Sequence, residues 1–265
     1  MPPRTNPSWF HLLLIAAGGV ILLFIIAPLA GMFLNCSGEG MAETAGDSEV
    51  WSGILMTITV SACATSLCAI PAIPFAYLLA RKEFFGKRLI LGIIDLPVVI
   101  PHTAAGIALL GVLSRDTLLG AFAEKNGFSF VGGHAGIMVA MAFVSLPFLM
   151  NSAREGFAAV PEKLEKTALT LGASPARVFF TISLPLAWKS VLSGLIMMGA
   201  RGLSEFGAVV IIAYHPMVTP VMIYDRFNAF GLKYARPVAA LFILVCLTLF
   251  VLLRLLARKK NHARS

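Results

Sequence analysis

Six runs of mostly apolar residues, at roughly 10–34, 52–80, 89–113, 135–152, 190–213 and 237–256, set the first limit on what this chain can fold into. A helix that crosses a bilayer needs about 20 such residues, because the hydrocarbon core is about 30 Å thick and each residue rises about 1.5 Å. The fourth run is the shortest. The second carries Pro71 and Pro74, which predict a kink or a tilt. Composition agrees: 58% of the residues are hydrophobic and 13% charged, too few charges to cover a soluble surface. The same figures exclude intrinsic disorder, and four scattered cysteines exclude a secreted disulfide scaffold. The expected fold is an all-α integral membrane protein with six transmembrane helices.

The first run, Phe10 to Leu34, exceeds the roughly 7–15 residues of a signal-peptide core, so it is expected to stay as a helix. Lysine and arginine orient the spans, because cytoplasmic loops hold the positive excess. Of 21 such residues, fifteen fall in the N-terminus, the connection 81–88, the segment 153–189 and the C-terminal tail. Five fall in the other three connections, and Arg201 lies inside a span. Both termini are therefore expected on the cytoplasmic side. The net charge of +8 then reflects topology and attraction to anionic membrane lipid rather than nucleic-acid binding.

Several chemistries are absent. No G-x-x-x-x-G-K-[ST] sequence is present to cradle nucleotide phosphates, and neither H-E-x-x-H nor C-x-x-C occurs. The five histidines (11, 102, 134, 215 and 262) lie far apart. No catalytic residue, metal site or cofactor is expected in this chain, and a membrane enzyme has no constellation to support it.

Residues 153–189 form the longest segment on the expected inner face, and they are amphipathic. Pro161 suits the first turn of a helix, with Glu162 and Glu165 near its positive end. Leu164, Ala168 and Leu171 recur at helical spacing; Gly172 supplies a stop, and Ser174-Pro175 starts a second helix. Such a pair could rest on lipid or dock on a partner. Gly172, nine residues, Ile182, one residue, Leu184 and Pro185 reproduce the G-x9-I-x-L-P core of the "EAA" loop. The segment thus resembles the loop by which membrane subunits of binding-protein-dependent ABC importers seat in a cleft of their ATPase. The three naming positions of that loop are Lys166, Thr167 and Ala168 here, so only the last agrees, and a glutamate stands one residue early at Glu165. The resemblance implies coupling to the ATPase through Glu165, Lys166, Ala168, Leu171, Gly172, Ala173, Ser174 and Pro175.

The third run opens with Asp95 and carries Pro97 and Pro101, which remove backbone donors and free carbonyls. Broken helix at membrane depth is tolerated only inside protein or along a cavity. His102 and Thr103 follow the break, either as satisfied interhelical groups or as lining of a pathway. In the fifth run Arg201 and Glu205 stand four apart, hence on one helix face, with Ser204 between them. Charged residues within a span are costly and mark function by default. The pair either neutralises itself, with Asp95 as a further partner, or faces a pore as a gate. Donors for an anion on the candidate pore spans are His102, Thr103, Ser145 (on the fourth run), Arg201 and Ser204.

The stretches DLPVVIPHTAAGIALL, EGFAAV, TLGASPARVFFTISLPL and ARGLSEFGAVVIIAYHP closely resemble the molybdate/tungstate ABC permease subunits of bacteria and archaea. That resemblance implies a type I ABC importer transmembrane fold: an N-terminal helix and external loop (1–50), the transmembrane domain (51–256) and a basic cytoplasmic tail (257–265). It also implies a multi-pass protein of the cytoplasmic membrane that works as a homodimer. Two cytoplasmic ATPase subunits would bind ATP and Mg, and an external oxyanion-binding protein would deliver the substrate. Sulfate and thiosulfate permeases share a looser version of these motifs. An ATPase-independent anion transporter is the other alternative, and it would favour internal symmetry and intramembrane acids.

Overall fold

The computed structural model describes residues 9–262, with side chains as far as residue 255. The expected inner placement of Arg4 and of the tail residues Arg258, Lys259, Lys260 and Arg264 concerns side chains outside those described. The described chain is all helical: α1 (Trp9–Leu34), α2 (Gly38–Gly46), α3 (Ser48–Arg81), α4 (Lys87–Val99), α5 (His102–Leu113), α6 (Leu118–Lys125), α7 (His134–Ala158), α8 (Glu162–Thr170), α9 (Pro175–Val178), α10 (Leu184–Leu203), α11 (Gly207–Ile212), α12 (Thr219–Phe230) and α13 (Leu232–His262). Between α9 and α10 the five residues Phe179–Ser183 wind as a π-helix. Five of the resulting rods are long and apolar enough to cross a membrane, and α4 with α5, bent by 113° at the break between them, is apolar enough to count as a sixth if the pair is one span.

Two of the expected spans need correction. The third is not one rod. Pro101 has no N–H to continue the ladder from α4 and instead stands at the cap position of α5. The fifth does not cover 190–213. Its rod runs from Pro175 to Leu203, stops at Ser204 and resumes as the short α11. Pro185 sits in the first turn of α10, where a missing N–H is harmless. The π-turn before it absorbs the slipped ladder. With α7 reaching Ala158, the connection between long rods shrinks from 153–189 to 159–174. α3 passes through Pro71 and Pro74 as one helix.

α7 lies at the centre. On one side Leu149, Ala153 and Phe157 pack against Ala76 and Leu79 of α3 and Val191 and Met198 of α10. Towards the other end Ile137, Met141 and Val144 pack with Val60 of α3, Ala105 of α5 and Val209 and Ile212 of α11. Small residues set the spacing between α7 and α10, as in other helix pairs that lack a hydrophobic drive in lipid. A Cβ on Gly156 would lie 2.4 Å from Cβ of Ser190, and one on Gly194 would lie 3.2 Å from the Leu149 backbone.

Polar contacts fasten the end of the bundle away from α8. Asp47 caps α3 and accepts from Arg226 of α12 at 2.6 Å, and Arg236 of α13 donates to the Asn35 carbonyl at 2.6 Å. The hydrogen bond from Arg226 is the main reason the Asp47 carboxyl lies below its ordinary value. No residue of α1 is buried within the chain, although it is apolar throughout.

Candidate functional site

Two constellations gather the residues singled out in the sequence. The first sits where both broken rods break. α10 ends at Leu203 and α5 begins at His102, and Glu205 stands between them in the three-residue gap before α11. Arg201 Nη2 lies 2.9 Å from Glu205 Oε2, and His102 Nδ1 lies 3.1 Å from the same oxygen. No donor is well directed at that buried oxygen, so both contacts are close approaches rather than directional hydrogen bonds. Glu205 Oε1 accepts the Ala208 N–H at 2.8 Å, which caps the start of α11. One carboxylate therefore joins the end of α10, the start of α11 and the start of α5. Arg201 Nη2 also lies 2.8 and 2.9 Å from the two ring nitrogens of His102, and Nη1 donates to Ser204 Oγ at 3.2 Å.

The two half-helices touch closely because their contact residues are small. A Cβ on Gly106 of α5 would lie 2.9 Å from the Ala208 carbonyl oxygen, and one on Gly207 would lie 2.8 Å from Cβ of His102. The backbone groups freed at the breaks find partners nearby: Glu205 N–H bonds Gly202 O, and Gly132 N–H bonds Ile212 O. Asp95 is not part of this cluster; it accepts from Asn151 of α7 at 2.6 Å. Pro97 is buried, while Pro101, Thr103 and Ser204 are exposed. Ser145 bonds the Met141 carbonyl of its own helix at 2.5 Å and so offers its proton to no anion.

The second constellation holds α8. Its Glu165 is buried and turned into the chain, not outward with its neighbours. Arg81, at the end of α3, bonds it through Nε to both carboxylate oxygens at 3.0 Å and through Nη2 to Oε1 at 2.7 Å. The same Nη2 reaches the Val160 carbonyl at 2.9 Å. Tyr77 OH donates to Oε2 at 3.1 Å, and Ser183 Oγ, in the π-turn, donates to Oε1 at 2.7 Å. Tyr77 packs edge-on against Phe157 and Phe179, which close the clasp from the bundle side. Burial works to raise the Glu165 carboxyl, but the hydrogen bonds from Arg81 and Ser183 outweigh it and hold the group below its ordinary value.

The remaining face of α8 is open. Leu164 is 45% exposed and Leu171 83% exposed, and Lys166 stands on that surface in an ion pair with Glu162. Ala168 and Ala173 are half-buried. Gly172 has φ +85°, and Ala173 N–H bonds Ala168 O while Gly172 N–H bonds Leu169 O, the paired closure of a glycine-ended helix. Ser174 Oγ then accepts the Arg177 N–H to cap α9, with Pro175 in its first turn. Arg81, Tyr77 and Ser183 were not visible as partners of Glu165 in the sequence, where the first of them stands 84 positions away.

A family profile described as "Binding-protein-dependent transport system inner membrane component" matches residues 72–262, which contain both constellations. The chain belongs to that family. The permease is 42% identical over 95% of its length to a molybdate/tungstate transport system permease protein, WtpB, of Thermococcus kodakarensis, covering 98% of that protein. It is 39% identical over 92% of its length to the WtpB of Methanocaldococcus jannaschii, covering 95% of it. It is also 32% identical over 78% of its length to a molybdenum transport system permease protein, ModB, of Mycobacterium tuberculosis, covering 77% of it. In fold, it matches a chain of a bacterial ABC transporter that imports alginate with a TM-score of 0.74 at 16% identity, covering 95% of the permease and 96% of that chain. A chain of the MetNI methionine ABC transporter matches with a TM-score of 0.59 at 15% identity, over 82% and 94% of the two chains. The permease is thus a multi-pass transport subunit with the type I ABC importer transmembrane fold.

Proposed function

We propose that this chain is the membrane-spanning subunit of an ATP-driven importer of molybdate and tungstate. The observation that carries the substrate is the 42% identity to a molybdate/tungstate permease across nearly the whole of both chains. Two copies of the chain form the pathway within the lipid bilayer. An external oxyanion-binding protein loads it, and two cytoplasmic ATPase subunits, which hold the ATP and Mg, drive it. The α8 end faces the cytoplasm, in keeping with the lysines and arginines of 81–88 and 154–177.

The geometry supports a division of labour. A coupling element must be short, rigid and exposed, with apolar side chains for a pocket on its partner. α8 has that form: a glycine-closed helix with Leu164 and Leu171 outward and one buried anchor inward. Closure of the ATPase pair displaces α8, and the Glu165 clasp passes the displacement to α3 and α10. α10 carries Arg201 in its last turn, so movement of its far end reaches the cluster at the breaks, where the pathway opens or shuts.

Reconstitution into liposomes with its ATPase and binding protein tests the reading. Labelled molybdate uptake should require ATP and be competed by tungstate much more strongly than by sulfate. Uptake competed equally by sulfate would reject the substrate, and uptake without any ATPase would reject the coupling.

A further inference from the structure

The cluster at the breaks presents a donor-rich rim with a hidden counter-charge. Arg201 is 21% exposed and His102 35% exposed at the side chain, whereas Glu205 behind them is 1% exposed. Ser204, exposed beside them, accepts from Arg201 Nη1 and gives its own proton to the Arg201 carbonyl at 3.0 Å, so it marks the edge of the rim without donating to it. The opposite charges of Arg201 and Glu205, 2.9 Å apart, offset each other. An anion arriving from the open side therefore meets the guanidinium and the imidazole first, and the carboxylate only through them.

That arrangement suits a particular job. A tetrahedral dianion is held by several converging donors, and most tightly by a guanidinium whose charge is free. A pathway, however, needs a site weak enough to let its cargo leave. A buried glutamate locked to the arginine lowers the attraction without removing the donors. We propose that Arg201 and His102 form a transient resting site for a tetrahedral oxyanion dianion, and that Glu205 is a positioning residue that keeps the site's affinity low. The inference rests on the oxyanion-permease reading.

The test uses the permease–ATPase complex in nanodiscs without the binding protein, with tungstate binding followed by equilibrium dialysis. In E205Q the amide oxygen can still accept the Ala208 N–H, so the start of α11 is kept, while the arginine charge is released. Tungstate binding should tighten by about tenfold or more, and uptake at saturating substrate should slow because release is slower. Adding Arg201→Gln to that variant should abolish the gain. E205Q that binds no more tightly than the unaltered protein, or a gain that survives loss of Arg201, would overturn the proposal.

Where E205Q does not assemble, the exposed Ser204 decides. S204D should cut uptake about tenfold or more and S204A should change it less than about threefold, since only the former adds a charge that opposes the dianion. Equal uptake by S204D and the unaltered protein would overturn it. An unaltered complex that moves no oxyanion rejects the permease reading itself, and a transporting complex with unresponsive variants rejects only the resting site.

Discussion

Removing the Glu165 carboxylate should free α8 from the bundle while leaving the bundle folded. Both members of the Arg81–Glu165 pair have side chains only 9% exposed, so neither charge is well solvated when the other is lost. Deleting one partner of a buried ion pair typically costs about 3–5 kcal/mol. Arg81 keeps its bond to the Val160 carbonyl, and the site is close to the bundle's end, so the lower part of that range applies: about 3 kcal/mol for E165A. E165Q keeps the shape and an acceptor for Arg81 and Ser183, and removes only the charge; exchanging charge-assisted for neutral hydrogen bonds costs about 1–2 kcal/mol. At about 1.4 kcal/mol per factor of ten, amide hydrogen exchange across Glu162–Thr170 should rise about a hundredfold in E165A and about tenfold in E165Q. Exchange along α7 should not change, because its core of Leu149, Ala153 and Phe157 is untouched. In the reconstituted complex, E165A should hydrolyse more ATP per anion carried. Unchanged exchange in α8 would refute the clasp, and an equal rise through α7 would show that Glu165 stabilises the whole bundle.

Gly172→Val should loosen the turn after α8 and uncouple hydrolysis from uptake. No atom lies within 4 Å of a Cβ placed there, so the cost is that of a left-handed backbone, about 1–2 kcal/mol and more for a β-branched residue; Gly172→Asn should therefore retain more coupling, measured as anions per ATP. Leu171→Asp should leave hydrogen exchange of the permease unchanged, since the side chain is 83% exposed, yet weaken co-purification of the ATPase. The pH dependence follows from the lowered Glu165 carboxyl. A group whose folded value lies below its ordinary 4.5 contributes stability that is fully present above 4.5 and lost as pH falls through the folded value. Exchange in α8, corrected for intrinsic rates, should be flat from neutral pH to about 5 and rise only in acid more extreme than 4.5. A rise centred between pH 6 and 7 would point to a different titrating group.

Much of the fold was legible because the bilayer leaves so few options. The first run, read as 10–34, is α1 at Trp9–Leu34, and the proline pair at 97 and 101 correctly marked a break. The fifth run was misplaced for a local reason. The run was bounded by hydropathy, from just after Lys189, and hydropathy does not show that a π-turn carries one helix from α9 through Pro185 into the span. The cluster at the breaks was half visible: Arg201 and Glu205 announce each other by spacing, but His102 joins them across 99 positions through the packing of α5 on α11. Glu165 was singled out by its motif, but its partners were not. The motif gives no side-chain direction, and Arg81, which holds the carboxylate inward, looked like one more charge marking the inner face.

The two carboxylates also bear on how force could travel. Glu165 holds Ser183, the residue just before α10, and Glu205 holds Arg201, near that helix's other end. The 20 residues of α10 span about 30 Å, so one straight helix connects the exposed coupling element to the break in the bundle. Along its length α10 rests on α7 through the Gly156 and Gly194 contacts, where neither partner can approach more closely, and Ser61 of α3 bonds the Gly199 carbonyl at 2.9 Å. Such a rod resists bending but can slide or tilt as a unit, because small residues leave no interlocked side chains to climb over. Its compliant point is the π-turn at Phe179–Ser183, which lies on the clasp itself. Straightening that turn, by replacing Pro185 with alanine so that the α-helical ladder can close, should leave both carboxylate contacts possible but shift their register. If the rod transmits the stroke, P185A should hydrolyse ATP with reduced uptake while E165A and P185A together are no worse than E165A alone. Additive losses would show that α3, not α10, carries the movement to the break.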